Sequence, residues 1–220
     1  MKPREPKKGS QALPPYHHGD LRRALVEAAL ALVTEEQDWA FSLREVARRA
    51  GVSHAAPYNH FADKRDLLAA VASMGFAELG QRIEKAIAGI GDPQTALVKS
   101  GQAYIGFAVE NPAHYRLMFS SALVTQPDGR PKAVVAAGAQ TRAILAGILR
   151  RGATMGIFDT TLRTDEELWS AVLTAWSAIH GLTMLTIDGI ADTPEVQPRM
   201  DVPAISKKLT LLMCNGFLQR

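Results

Sequence analysis

The residues whose type and spacing could carry chemistry are few: the adjacent pair His17 and His18, the lone Cys214, and the polar run from Ser53 to Lys64. Adjacent histidines ligate one ion poorly, and no thiol or carboxylate cluster accompanies them, so no metal site is expected. Cys214 has no partner with which to form an internal disulfide; on an apolar helix face it reads as a small buried hydrophobe and fits a reducing compartment. There is no Ser-His-Asp arrangement, no phosphate-binding glycine loop and no paired carboxylates in a cleft, so neither catalysis nor a cofactor is expected. What remains is the polar run, whose side chains are short or hydrogen-bonding and suit the edges of base pairs.

Elements that could position this run are readable around it. Ser42 and Glu45 have the spacing of a capping box, and Phe41 and Val46 occupy the two positions of a hydrophobic staple, so a helix must begin at Leu43. Its apolar face is Leu43, Val46, Ala47 and Ala50, and Gly51 stands where a left-handed residue can close it after about two turns. Ser53 can cap a second short helix running to Asn59 or His60. Two short helices joined through Ala50-Gly51-Val52-Ser53 make a helix-turn-helix, with Ala47 leaving room for the crossing and Val52 plugging the angle. The second would be the reading helix, presenting His54, Ala55, Ala56, Tyr58, Asn59 and His60 to a major groove, with Ser53 at its start. Pro57 falls inside it and forfeits a backbone donor, so its first turn is expected to be irregular or to begin later.

Four cations flank this element. Arg44 lies in the first turn of its helix, where the backbone can also bind phosphate, and is better placed than Arg48 or Arg49, which read as a solvated face. Lys64 sits at a helix N-terminus, where a cation opposes the helix dipole and a phosphate partner would explain it. Phe61 is assigned to the core.

The remaining chain reads as helix almost throughout, with little strand-type alternation. Leu21, Leu25, Ala28, Ala29 and Leu32 form one stripe of a first helix, with Asp20 near its positive end. Asp63 caps a long helix to about Ile87, followed by segments at 94–110, 113–120, 131–152, 165–187 and 203–218. The breaks are Gly91-Asp92-Pro93, Asn111-Pro112, the turn 126–131 with Asp128-Gly129, and the stretches 156–163 and 188–202. The expected fold is therefore all-α, with about nine helices: a three-helix head at 17–64 and a helical bundle body at 65–220, behind a basic, proline-bearing tail at 1–16. No run approaches about 18 uninterrupted apolar residues, and none follows the basic residues of the tail as in a secretory signal, so a cytoplasmic protein is expected. The net charge of +3 is compatible with nucleic acid without demonstrating it.

The run Phe41-Ser42-Leu43-Arg44-Glu45-Val46-Ala47-Arg48-Arg49-Ala50-Gly51-Val52-Ser53, then Pro57 to Phe61 and Lys64 to Leu68, resembles the TetR-type transcriptional regulators. Tyr58, His60, Phe61, Lys64, Leu67 and Leu68 stand in that family's register. Trp176, His180 and Gly181 in "AWSAIHGL", together with "NPAHYRLMF" at 111–119, resemble the subgroup whose regulatory domain is called WHG. The resemblance implies a homodimeric repressor that binds a palindromic operator in double-stranded DNA and responds to an effector held in its body. Tyr58's place in the motif argues for contact with phosphate or a thymine methyl, although it could also cover the small core of the head.

For the body two readings stand side by side. Trp176 and His180, four apart on one helix face, could line a cavity for a small, largely apolar effector, or could be a packed Trp beside a hydrogen-bonded His with Gly181 allowing close helix approach. Tyr104, Phe107 and Met118 are likewise candidates for the pocket wall or for the core, as are Tyr115 and Phe119. Small residues Ala136, Ala139, Ala143 and Gly147 mark the 131–152 helix, with 165–187, as the expected dimer surface. His17 and His18 are expected to approach DNA with the tail. An architectural protein, binding DNA with little sequence preference and a steep salt slope, is the competing function.

Overall fold

Ser42 and Glu45 cap each other reciprocally: the Ser42 N–H donates to Glu45 Oε2 at 2.6 Å and the Glu45 N–H to Ser42 Oγ at 3.3 Å. This starts α2, Leu43–Arg49, with Phe41 and Val46 both buried beside it. The helix closes in a Schellman motif, in which Val52 N–H donates to Ala47 C=O at 3.0 Å and Gly51 N–H to Arg48 C=O at 3.2 Å. Gly51 supplies the φ of +68° that this closure needs.

The computed structural model describes residues 18–124, 129–190 and 201–217. The basic tail with His17, the Asp128 half of the 126–131 turn and most of the 188–202 break lie outside these. So do the side chains of His18 and Asp20. Described are α1 (His18–Glu36), α2, α3 (Lys64–Ile87), α4 (Pro93–Glu110), α5 (Pro112–Phe119), α6 (Lys132–Thr154), α7 (Asp165–Ile187) and α8 (Val202–Phe217). Eight α-helices among the described residues stand against the nine expected, because the reading element is a single 3-10 turn, Ala56–Asn59.

The helix starts follow local chemistry. Asp63 Oδ1 accepts the Asp66 N–H at 2.8 Å to start α3, and Asp92 accepts from Gln94 and Thr95 to start α4. Thr164 caps α7, whose first turn carries Asp165, Glu166 and Glu167 at the positive end of the helix dipole.

The long α3 is the spine, packing on α1, α4, α5 and α6. One hydrophobic core runs without interruption from Leu25, Ala29 and Val33 of α1, through Val46 and Phe61, along Leu67 to Ile83 of α3, to Phe107, Tyr115 and Met118. A second core, with Leu97, Leu149, Phe158, Leu168 and Val172, lies under the α6–α7 connection. Cys214 is buried in it, and burial pushes its thiol up to about 11, which leaves it the inert small hydrophobe expected.

By length and average hydropathy α6 and α7 could each cross a membrane, although polar residues interrupt the apolar run of both. In the fold both are packed into the bundle, α6 on α3, α4 and α7, and α7 on α4, α6 and α8.

Candidate nucleic-acid interface

Between Val52 and α3 the chain makes a tight, largely 3-10 path. Ser53 does not cap it by its side chain. Its carbonyl accepts the Ala56 N–H at 3.0 Å, Ala55 C=O accepts from Tyr58 at 3.2 Å, and Pro57 C=O accepts from His60 and Phe61. Pro57 occupies the first turn, where its missing N–H costs nothing, so the helical part begins at Ala56, two residues later than a Ser53 cap would give.

The element's two faces sort the expected contact residues. Ser53, His54, Ala55, Tyr58 and Asn59 are exposed and His60 partly so, with Tyr58 57% exposed despite its size. Ala56 departs from expectation: it is buried, with Pro57 and Phe61, against the head. Ala56 and Asn59 are one 3-10 turn apart, and it is packing against α2 that buries the first while the second, at the element's end, stays exposed.

Of the expected phosphate-binding cations, Arg44 is exposed, and it has no ion-pair partner among the described residues. Arg49 is committed to Glu35, a pair that joins α2 to α1 and holds the Glu35 carboxyl below its ordinary pKa through hydrogen bonding from Arg49. Lys64 is half-buried with Nζ 5.2 Å from the Phe41 ring centroid, so a cation–π contact accompanies any role toward phosphate. Arg22 of α1 stacks similarly on Phe61, 5.0 Å from the centroid. Arg65, next in α3, ties the start of the spine to the body by donating to Leu123 C=O at 3.3 Å and Gly129 C=O at 3.1 Å.

In the body a cavity of about 60 Å³ opens between α3, α4, α6, α7 and α8. Of the candidate wall residues Tyr104 and Trp176 line it, along with Phe76, Leu79, Ile83 and Arg142. Phe107 and Met118 do not: both are fully buried core residues, on sides of α4 and α5 that face α3 rather than the cavity. His180 is also absent from the wall. Its Nδ1 closes a triangle with Tyr115 Oη at 2.5 Å and Tyr104 Oη at 3.2 Å, in which Tyr115 Oη donates to Tyr104 Oη at 2.9 Å.

Trp176 Nε1 completes the network by donating to Tyr104 Oη at 3.2 Å. Burial lowers the His180 pKa, which keeps the imidazole neutral and able to accept. Burial pushes the Tyr104 hydroxyl up to about 12 and the Tyr115 hydroxyl further. Gly181 faces open space instead of a packed helix: a Cβ there would meet nothing within 4 Å.

Residues 25–71, the head, match the model for bacterial regulatory proteins of the tetR family, and residues 97–200 match that for the tetracyclin repressor-like C-terminal domain. The chain belongs to the TetR family. Family membership makes it a DNA-binding transcriptional regulator rather than an enzyme.

An uncharacterized HTH-type transcriptional regulator of Mycobacterium tuberculosis is 25% identical over 199 residues, covering 90% of this chain and 82% of that protein. The HTH-type transcriptional activator FasR of Mycolicibacterium smegmatis is 30% identical over 129 residues, 59% of each chain. A solved structure of a protein of unknown function from Rhodococcus sp. RHA1 has a TM-score of 0.76 at 29% identity, covering 94% of this chain and all of that one.

Two features of this TetR-family chain were not singled out from sequence. Arg142 reads locally as one more surface cation on α6, and only the packing of α6 against α7 brings it to the cavity. Arg65 has no local partner, and its carbonyl acceptors lie 58 and 64 residues away.

Proposed function

We propose that the chain is a homodimeric, ligand-responsive repressor that binds a palindromic operator and leaves it when a small, largely apolar effector enters the body. The observation that carries this reading is the course of α3. Its first residue, Lys64, borders the reading element, and Phe76, Leu79 and Ile83 of the same helix form the cavity wall. From Lys64 to Leu79 there is about 22 Å of continuous helix, so a tilt of about 5° at the cavity displaces the head by about 2 Å. Two-fold symmetry doubles that change in the separation of the heads, and half-sites must match major grooves that recur about every 34 Å.

In this reading the head, 17–64, docks with Ser53, His54, Ala55, Tyr58, Asn59 and His60 at the groove, and Arg44 and Lys64 at phosphates. The body, 65–220, holds the effector and the dimer interface. The small-residue face of α6, Ala136, Ala139, Ala143 and Gly147, is exposed, as is a stripe of α7 through Trp169, Leu173, Gly181 and Leu185. Small residues let helices approach closely, and exposed large hydrophobes call for a partner. Leu211 and Leu212 of α8 are exposed as well.

In vitro selection of bound duplexes tests the reading. A palindrome with half-sites one helical turn or a multiple apart is expected. Equal affinity for the selected site and random duplex at fixed salt would leave an architectural role instead. Effector control adds a reciprocity requirement: operator must weaken effector binding by the factor by which effector weakens operator binding.

A further inference from the structure

Among the described residues Arg142 is the one guanidinium in the wall of the body cavity, and its surroundings give it little to bind. Its Nε is buried with no hydrogen-bond partner, and no carboxylate pairs with it among the described residues. Its contacts are aromatic: the guanidinium carbon lies 5.3 Å from the Trp176 ring centroid and 5.9 Å from that of Trp169, two turns earlier on α7. One turn before Arg142 on its own helix, Gly138 leaves room for it, since a Cβ at Gly138 would lie 3.2 Å from Arg142 Nη1. The long side chain folds back toward the helix N-terminus, as helical side chains do, over that bare glycine.

The rest of the wall is mainly apolar, with Phe76, Leu79, Ile83, Leu97, Leu145 and Ile179. Its hydroxyls are already engaged: Ser100 with Leu97 C=O, Thr141 with Phe76 and Ala137 C=O, Thr210 with Ser206 C=O, and Tyr104 with Tyr115, His180 and Trp176. A buried guanidinium donor without an acceptor is costly, and an apolar side chain of similar size would pack this wall at less cost. An anion brought by a ligand removes that cost.

We infer that Arg142 is the counter-ion of the effector, and that the cavity takes a hydrophobic monocarboxylate. This rests on the effector reading of the same cavity and adds charge to it. The two indoles accept no conventional hydrogen bond, so these contacts leave the guanidinium its N–H donors, the fork that matches a carboxylate with two parallel bonds. A doubly charged phosphate would need a second cation, and among the described residues no other Lys or Arg lines the cavity. At about 60 Å³ the space holds only a few waters, so an apolar body can enter only as the helices part, α3 among them. The carboxylate therefore anchors at α6 while the apolar body presses on the wall of α3.

The test uses the full-length protein with decanoate, 1-decanol of the same chain length, and 2-naphthoate to separate chain from ring bodies. Binding is read by tryptophan fluorescence and by release of the selected operator. One or both carboxylates should bind about ten- to a hundredfold tighter than the alcohol, as expected for a charge-assisted pair. Arg142→Gln should abolish that difference, so that carboxylate and 1-decanol bind the variant alike, and Arg142→Lys should restore part of it. Arg142→Met, which keeps the apolar stem, repeats the test should the Gln variant unfold. Equal binding of alcohol and carboxylates, with operator release by all, overturns the counter-ion and leaves the effector reading standing. A carboxylate preference that survives in both Arg142→Gln and Arg142→Met also overturns the counter-ion. Failure of every probe to bind or to release operator counts against both.

Discussion

Gly152 near the end of α6 offers a sharp test of how the body is held together. A Cβ built there would lie 2.1 Å from Phe158 Cδ2, 2.5 Å from Cε2 and 2.8 Å from Cγ, whereas carbon atoms in good contact are about 3.5 to 4.0 Å apart. The ring has no escape, because Phe158 is fully buried and the Gly152 carbonyl accepts the N–H of Ile157 at 2.9 Å and of Phe158 at 3.1 Å. Gly152→Ala therefore overpacks the second core, at about 3 kcal/mol or somewhat more, against a helix-propensity gain of about 1 kcal/mol. The net loss of about 2 kcal/mol should lower the melting temperature by roughly 4 to 8 °C for a chain of this size.

Phe158→Ala alone should cost about 3 to 5 kcal/mol through the cavity it leaves. In that background Gly152→Ala should reverse sign and stabilise by up to about 1 kcal/mol, since the clash is gone and the propensity gain remains. Thermal and urea denaturation of the four proteins at one fixed concentration measures the cycle. The same loss from Gly152→Ala in both backgrounds would refute the close-packing argument.

Lys64→Ala is expected to weaken binding to all DNA sequences nearly equally and to lower the salt slope by about one, while Asn59→Ala relaxes preference at particular base pairs by roughly 1 to 3 kcal/mol; quantitative binding at several salt concentrations separates the two. Leu173→Asp, in the exposed α7 stripe, should shift the chain from dimer to monomer at micromolar concentration while leaving the monomer folded, as read by sedimentation and circular dichroism. Stability should fall as pH drops below about 6.5. Burial lowers the folded-state pKa of His114 and of His180, so the unfolded chain binds more protons between the depressed folded values and the ordinary one. Thermal melts from about pH 8 to about 5.5 should show this decline, with a shallower slope in His180→Gln, which keeps an acceptor for the tyrosine hydroxyls.

Local chemistry made much of this protein legible from its sequence. The capping box at Ser42, the closing glycine at 51 and the cap at Asp63 each act within five residues, and the structure places α2, its Schellman turn and α3 where those signals put them. The period of the apolar residues similarly set α7 at 165–187 and the buried stripe of α1. Pro57 announced the irregular start of the reading element, because a missing N–H is a property of one residue.

Which face of that element points inward was a different matter. Ala56 is buried because the element packs against α2, a tertiary contact that residue spacing does not contain. The same holds in the body: Phe107 and Met118 are as apolar as the residues of the cavity wall, and only the placement of α3 puts them in the core. Arg142 looks like any cation on an amphipathic helix until α7 sets Trp169 and Trp176 beside it and α3 closes the opposite wall. The sequence by itself determined where helices start, stop and turn, since those choices rest on hydrogen bonds and dihedral preferances spanning a few residues. The tertiary structure decided which side chains share a cavity, because that depends on contacts between residues tens of positions apart, whose energies come from burial and shape.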